Sequence, residues 1–320
     1  MQFIKNILLL IWQDINLPFV STQRQHKINV WTIFLNNVII QILRKTKGAK
    51  DMKKAVFSDL DGTLLDDKHR FSKLTKKTVN SVQKKGIPFV VTTGRLANDA
   101  IRQARKLKVH KYDGYVLANN GASAYSFKTN SFLWMMIFTT AEINKIFDFT
   151  YRKYKVHFFS KNSTYVYEYG ENSYYWSKIM RTRYQIITKI TDIIEDITHA
   201  SVIVHQLLDD NAANKLMQKL RQLLPQLDIT QYNNRVFEIA CKGISKGSAL
   251  QFLSHHIGID ISQTYSFGDS YNDFELIRQA GVGIAVGNAI DELKKMANEV
   301  TLSNREDGPA KYLQRFFLKK

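Results

Sequence analysis

Two carboxylates one residue apart, Asp59 and Asp61, follow the apolar run Ala55-Val56-Phe57-Ser58 and lead into Gly62. The run reads as a buried strand, so alternation turns Leu60 to the core while both acids lean into one crevice. Gly62 then permits a sharp bend and a close backbone approach to a ligand. A calcium loop of the EF-hand type beginning at Asp59 would need glycine at its sixth position and glutamate at its twelfth, where this chain has Leu64 and Arg70. An ordinary strand-to-turn exit stays open for this stretch taken alone.

The arrangement recurs. The strand-like Ile87-Pro88-Phe89-Val90-Val91 runs into Thr92-Thr93-Gly94-Arg95, and Thr264-Tyr265-Ser266-Phe267 runs into Gly268-Asp269-Ser270-Tyr271-Asn272-Asp273. In a parallel sheet these exits gather at the carboxyl edge, where ligands of such folds bind. Lys246, in the loop before a helix, is within reach of the same crevice. Singly, Thr93 reads as a cap, Lys246 as a solvated lysine and Asp269 as a turn residue; together they point to chemistry. Asp59 and Asp269 suit Mg²⁺, which takes one or two carboxylates plus phosphate and water. Asp59 would then attack phosphorus, Asp61 would protonate the leaving alkoxide and later activate water, and Thr93 and Lys246 would hold the phosphoryl oxygens. The slowest phosphate monoester hydrolyses need about 10²¹-fold acceleration, roughly 29 kcal/mol. One aimed donor supplies about 3–4 kcal/mol, so no single carboxylate suffices.

The elements that must position these residues are legible as periodicity. Ser72 as N-cap, Leu74, Val79 and Val82 on one side and Gly86 as a stop predict a helix between the first two strands. Ala97, Ala100, Ile101, Ala104 and Leu107 predict the next, leading to the strand Tyr115–Ala118 and the turn Asn119-Asn120-Gly121. Alternating strands and helices imply a parallel sheet covered on both faces. Leu64-Leu65 and Asp66–Arg70 read as a short hairpin beside the crevice.

From about residue 131 the texture changes. Thr139 and Glu142 form a capping-box signature ahead of Ile143, Ile146 and Phe147, and a second helix follows Asp210. Strands are expected at Val156–Phe159, Tyr165–Tyr169, Ser201–Leu208, Leu227–Gln231 and Arg235–Ile239. The α/β texture then returns. The expected organisation is an extension over 1–51, a core made of 52–130 and 237–320, and an inserted α+β domain over 131–236.

The composition, 44% hydrophobic and 12% aromatic, is that of a globular chain. A single cysteine, Cys241, permits no internal disulfide and suits a reducing, cytoplasmic compartment. The net charge of +18 favours anionic partners. The lysines, however, fall in scattered pairs with no nucleic-acid-binding motif, so a small phosphorylated metabolite is expected and nucleic acid is not. Neither a Gly-x-Gly-x-x-Gly after the first strand nor a P-loop occurs. Residues 1–50 carry +6 of the charge, and their longest apolar run, Ile7–Trp12, is far below the roughly 18 residues of a membrane span. We expect an extension that is not made in the cell, with Met52 as the start; a helical pair lying on a membrane surface is the alternative.

Asp59-Leu60-Asp61-Gly62-Thr63, Thr93-Gly94-Arg95, Ser245-Lys246-Gly247 and Gly268-Asp269-Ser270-Tyr271-Asn272-Asp273 together resemble the four motifs of the haloacid dehalogenase superfamily, specifically its Cof-type phosphatases with a type IIB cap. Asn119-Asn120-Gly121-Ala122, Gly287-Asn288-Ala289 and Ser303–Gly308 are similar to that subfamily too, and the likeness covers residues 52–320. It implies a Rossmann-like core, a mobile α+β cap between the second and third motifs, and Mg²⁺-dependent phosphatase activity on sugar phosphates or related metabolites through an aspartyl phosphate. It carries the nucleophile to Asp59, the acid/base to Asp61, phosphate binding to Thr93 and Lys246, and metal binding to Asp59, Asp61 (through its carbonyl), Asp269 and Asp273. Gly94, Arg95 and Asn120 are expected at the substrate, with Asn272 orienting the shell. Tyr165, Tyr167, Tyr169, Tyr174, Tyr175, Trp176, Arg181 and Arg183 are weaker candidates for a pocket lining, since alternating aromatics more often form a core. A phosphomutase and a catalytically silent metabolite-binding regulator are the alternatives; free phosphate, an isomeric sugar phosphate or no turnover separates the three.

Overall fold

The computed structural model describes residues 53–167 and 183–318. Ala55–Ser58 (β1) and Phe89–Thr92 (β2) are buried at every position, as strands covered on both faces must be. β1 is central, parallel to β2 on one side and to Thr264–Gly268 (β12) on the other. The sheet continues in parallel from β2 to Tyr115–Ala118 (β3), and from β12 through Val282–Ala285 (β13) to Glu299–Val300 (β14). Ser123–Ser126 (β4) and Ser131–Met135 (β5) then add antiparallel strands, giving eight among the described residues. These two break the all-parallel pattern expected. Ser123, Ala124 and Ser126 are small or polar yet buried, so no hydrophobic period announces β4.

Helices cover both faces. Lys73–Lys84 (α1) begins at Ser72, whose hydroxyl accepts from the Thr75 N–H at 2.9 Å, and stops before Gly86 at φ +77°. With Ala97–Lys106 (α2) it packs on Val56, Leu60 and Val91. The other face, with Phe57, Val90 and Leu117, meets Ala249, Leu250 and Leu253 of a later helix, Lys246–Ile257. Each fully buried side chain of this kind contributes about 1.5–3 kcal/mol, and the sum holds the strand exits in register.

A second sheet has the order Leu227–Asn233 (β10), Val236–Cys241 (β11), His199–Ile203 (β9), Lys155–Phe159 (β6), Ser163–Val166 (β7) and Arg183–Ile186 (β8). Thr140–Thr150 (α3) and Asp210–Leu223 (α4) pack on one face, with Ile146, Leu216 and Leu220 against Val156, Phe158, Val202, Phe237 and Ile239. Registered partners across the strands share a face, and the row Thr230, Glu238, Ser201, His157 occupies the opposite one. The capping box of α3 is formed: Thr139 accepts from the Glu142 N–H at 3.3 Å, and the Glu142 carboxylate accepts from the Thr139 N–H at 2.6 Å. By sheet membership, residues 131–135 belong with the larger sheet and 236–241 with the smaller, so the junctions fall a few residues beyond 130 and 236.

Two local expectations differ from the structure. No hairpin forms at 66–70. The Asp66 carboxylate accepts from the Lys68 and Arg70 N–H groups at 2.9 and 2.8 Å, and His69 adopts φ +53°, which closes a turn in place of a ladder. The strand expected at 201–208 runs over 199–203, displaced by its pairing with β6 and β11. The first 52 residues, together with Tyr169, Tyr174, Tyr175, Trp176 and Arg181, lie outside the described residues. Among those described, no helix is long and apolar enough to cross a membrane.

Candidate active site

β1 and β12 are adjacent, and the Asp59 N–H donates to the Phe267 carbonyl at 3.0 Å, so the two acidic exits lie side by side. Lys246 is the first residue of Lys246–Ile257 (α5) rather than part of the preceding loop. Ser245 caps that helix by accepting from the Ser248 N–H at 3.0 Å. Lys246 is 1% exposed, and its Nζ donates to Asp59 Oδ1 and to Asp273 Oδ1, both at 2.7 Å. Carboxylate oxygens of Asp59, Asp269 and Asp273 lie within 4.8 Å of one another. Asp273 is fully buried, and its other oxygen accepts from the Asp269 and Ser270 N–H groups at 3.0 and 3.1 Å, closing the turn after β12. Gly62, at φ +75°, lies against the second acidic exit: a Cβ there would overlap the Asp269 carboxylate. Thr63 fixes that carboxylate, its hydroxyl donating to Asp269 Oδ1 at 2.6 Å.

Burial pushes the Asp59 carboxyl well above its ordinary range, opposed by Lys246 and reinforced by Asp273, Asp269 and Asp61. Burial and Asp273 push Asp269 up to about 7, opposed by the Thr63 hydrogen bond and Lys246. Burial works against the Lys246 charge, but Asp273 and Asp59 outweigh it and hold the ammonium. Three carboxyl groups, those of Asp59 and Asp273 buried and that of Asp269 half-buried, gather beside one ammonium, so ionising all of them leaves two negative charges that Lys246 does not compensate in a cluster of hard oxygen donors. That donor set fits a divalent, oxygen-seeking cation such as Mg²⁺.

Asp61 faces different company. Arg95 Nε donates to Asp61 Oδ2 at 2.6 Å and its Nη2 to Oδ1, while Nη1 donates to Asp99 at 2.7 Å. His69 Nδ1 is 3.0 Å from the same carboxylate. Burial raises Asp61, but the Arg95 and His69 contacts prevail and hold it below the usual carboxylate range. Arg95, expected at the substrate, is 2% exposed and engaged with two acids. Its motif position signals a cation; only the fold brings Asp61 and Asp99 to it.

Thr93 is 1% exposed, and its hydroxyl accepts from the Arg95 N–H at 3.2 Å, which leaves the hydroxyl proton for another acceptor. Gly94 lies against Asn120, where a Cβ would come within 2.9 Å of the amide oxygen. Asn120 adopts φ +52°, donates its N–H to the Thr93 carbonyl at 3.1 Å and accepts from Asn272 Nδ2 at 3.1 Å. A cavity of about 920 Å³ has Asn120, Asn272, Lys246, Tyr271, Glu238 and Arg221 among its lining residues, and Thr93 and the acids at the strand exits do not line it. Tyr165 is fully buried in the second sheet's core, and Tyr167 packs edge-on to Phe147 with its hydroxyl 2.9 Å from Thr150, so both serve packing. Arg183 is exposed on β8. Thr63, His69 and Glu238 were not among the expected site residues. Thr63 sits inside the first motif and its hydroxyl was a usable signal, whereas nothing near His69 or Glu238 in sequence marks them.

The profile of the haloacid dehalogenase-like hydrolases matches residues 56–313, and the chain belongs to that family. Two Bacillus subtilis proteins, each named a 5-amino-6-(5-phospho-D-ribitylamino)uracil phosphatase, are similar to it. One is 27% identical over 267 residues, covering 83% of this chain and 96% of the relative; the other is 27% identical over 272 residues, covering 81% and 96%. Among solved structures, a haloacid dehalogenase-like hydrolase from Bacteroides thetaiotaomicron superposes with TM-score 0.74 at 23% identity, covering 83% of this chain and all of that one. A subclass IIB sugar phosphatase of the superfamily superposes with TM-score 0.69 at 21% identity, covering 82% and 99%. The fold is therefore the Rossmann-like core with an α+β cap of subclass IIB, and the enzyme class is phosphoric monoester hydrolase.

Proposed function

We propose that the protein is a Mg²⁺-dependent phosphatase of small phosphorylated metabolites, sugar phosphates among them, working through an aspartyl phosphate on Asp59. The observation that carries this reading is the Lys246 ammonium bridging Asp59 and Asp273 at 2.7 Å beside Asp269, three widely separated segments meeting in one buried cluster. Mg²⁺, held by Asp59, Asp269, the Asp61 carbonyl and Asp273, would supply Lewis-acid neutralisation of the phosphoryl oxygens.

The chain's own groups do the rest. An Asp59 oxygen attacks phosphorus as the ester P–O bond breaks, and Asp61 delivers a proton to the departing alkoxide. Asp61 then takes a proton from water as that water attacks phosphorus, and the bond to Asp59 breaks to release phosphate. Lys246 and the Thr93 hydroxyl hold the phosphoryl oxygens while charge moves between them. Arg95 and His69 orient Asp61. Because Arg95 keeps Asp61 ionised, the proton-donor step requires substrate binding to loosen that pair.

A panel of phosphorylated metabolites, assayed for free phosphate with and without Mg²⁺ and beside Asp59→Asn, tests the reading. Metal-dependent release by the unmodified protein, with label trapped on Asp59 after acid quench, is the expected result. Isomerised sugar phosphate without net release would point to a mutase, and silence on every ester would end the reading.

A further inference from the structure

The positive charge is spread unevenly over the fold. Residues 72–86, 97–113 and 307–318 hold twelve basic residues and three acids, a net +9, whereas all other positions from 51 to 320 contribute +3. These stretches contain α1, α2 with the turn Val109–Tyr112, and the C-terminal helix Gly308–Leu313, and all of them pack on one face of the larger sheet. Lysine pairs that look scattered along the sequence therefore meet in space. α1 is tied to both neighbours: Gln83 donates to the Leu107 carbonyl at 3.1 Å and Tyr112 to Asn80 at 2.9 Å on one side, and Gln314 donates to Thr78 at 3.1 Å on the other.

Within this face the charge collects at one end. α1 leaves the carboxyl edge after β1 and returns to the start of β2, and α2 does the same between β2 and β3. Both helices therefore end at the sheet's amino edge, opposite the edge that carries Asp59 and Asp269. Lys84 and Lys85 close α1, Arg105 and Lys106 close α2, and Lys108 and Lys111 follow at once; all six are exposed. Lys85 Nζ donates to the Phe317 carbonyl at 2.9 Å, and Lys54 Nζ lies 5.4 Å from the Phe317 ring, which brings Arg315 and the start of β1 to the same end. A cation in the last turn of a helix complements its dipole. That accounts for neither Lys54 nor Lys108 and Lys111, which stand outside the helices. Among the described residues of these stretches, Asp113 is the only exposed acid.

We propose that this amino-edge surface binds the anionic face of a lipid bilayer and leaves the crevice at the opposite edge open to solvent. The proposal does not depend on the phosphatase reading. Charge complementarity calls for an extended anionic partner, and three features favour lipid over nucleic acid. Lysine, a hydrated point charge, predominates here over arginine, the fork that grips single phosphates. Phe316, 47% exposed, stands beside the Arg315 guanidinium, 5.1 Å from its ring, a pairing of aromatic and cation suited to the headgroup layer. A duplex is read by a helix or ribbon set into a groove and a single strand by stacking platforms, whereas this surface is made of helix ends with one exposed aromatic.

The test is sedimentation of the full chain with vesicles of phosphatidylcholine alone and of phosphatidylcholine with about one quarter phosphatidylserine. The unmodified protein should sediment with the anionic vesicles only. Added salt should release it, since charges in roughly 0.1 M salt are screened beyond about 10 Å. Lys84→Gln, Lys108→Gln and Lys111→Gln combined should lower partition onto the anionic vesicles about a hundredfold, each charge being worth roughly fivefold. The same loss of three charges from α3 and α4, as Lys145→Gln, Lys215→Gln and Lys219→Gln combined, should lower it less than about threefold. Melting temperatures show that both triple variants are folded, and the salt series on the unmodified protein needs no variant. Equal losses from the two triples, no loss from the first, or no binding to anionic vesicles would overturn the proposal. A duplex or single-stranded oligonucleotide that binds more tightly at the same ionic strength, and requires the same three lysines, would put nucleic acid in place of the bilayer and overturn it as well.

Discussion

The two sheets bury polar groups in opposite ways. At the larger sheet's carboxyl edge ionisable groups pair with one another: the buried Asp59 and Asp273 with Lys246, and the buried Arg95 with Asp99 and the half-buried Asp61. In the smaller sheet they are neutral. His157 and His199 are 3% and 4% exposed, and burial drives their imidazoles down to about 4 and about 3. Thr198 bonds His199 at 3.0 Å, and Phe159 stacks on it. Charge buried without water costs several kcal/mol per ion unless it is paired. The larger sheet pairs its buried charges at the strand ends, whereas the smaller sheet buries neutral imidazoles on the face away from its helices.

Breaking the charged side should have the largest consequences. Asp59→Asn removes the proposed nucleophile and should cut turnover about 10⁴-fold or more, measured as phosphate release, with little change in melting temperature. Lys246→Met leaves Asp59 and Asp273 facing each other without a counter-charge. It should cost about 3–5 kcal/mol of stability in denaturant unfolding, besides the loss of activity. A variant as stable as the parent would mean that the ion pairs are not what holds the cluster.

The neutral side should respond to acid instead. Both histidines have folded-state values below the ordinary 6.5, so the unfolded chain takes up protons that the folded chain refuses. Their contribution is complete above about pH 6.5 and is lost as pH falls, through about 4 for His157 and about 3 for His199. The slope is at most about 1.4 kcal/mol per pH unit per histidine. His199→Phe should flatten part of this acid loss in melts between pH 7 and 4; an unchanged profile would remove His199 from the comparison. The smallest effect is local. Thr139→Ala opens the cap of α3 and should cost about 1 kcal/mol without altering the ratio of activities on different esters.

Legibility differs between the two regions for the same reason. In the larger sheet each candidate acid follows an apolar strand, and a strand exit is a local signal; Asp59, Asp61, Asp269 and Asp273 could be located from it, and Lys246 from the motif Ser245-Lys246-Gly247. Arg95 was located but its partners were not, since Asp61 is 34 positions away and becomes a neighbour only when β1 and β2 pair. β4 carries no sequence signal because small and polar residues have no period, and the turn at 66–70 carries none because Asp66 satisfies the backbone in place of a partner strand. Glu238 lay furthest from view: its contact to Asn120 spans 118 positions and joins two sheets.

From the order of residues alone came the alternating elements, the caps and the acids at the strand ends, because these depend on spacing within one segment. Which acid meets the lysine, which is gripped by arginine, and that a glycine at 62 serves to admit the Asp269 carboxylate were decided by folding. Charge pairing and close approach act through space, and the spaces between these groups exist only once the strands have taken their places beside β1.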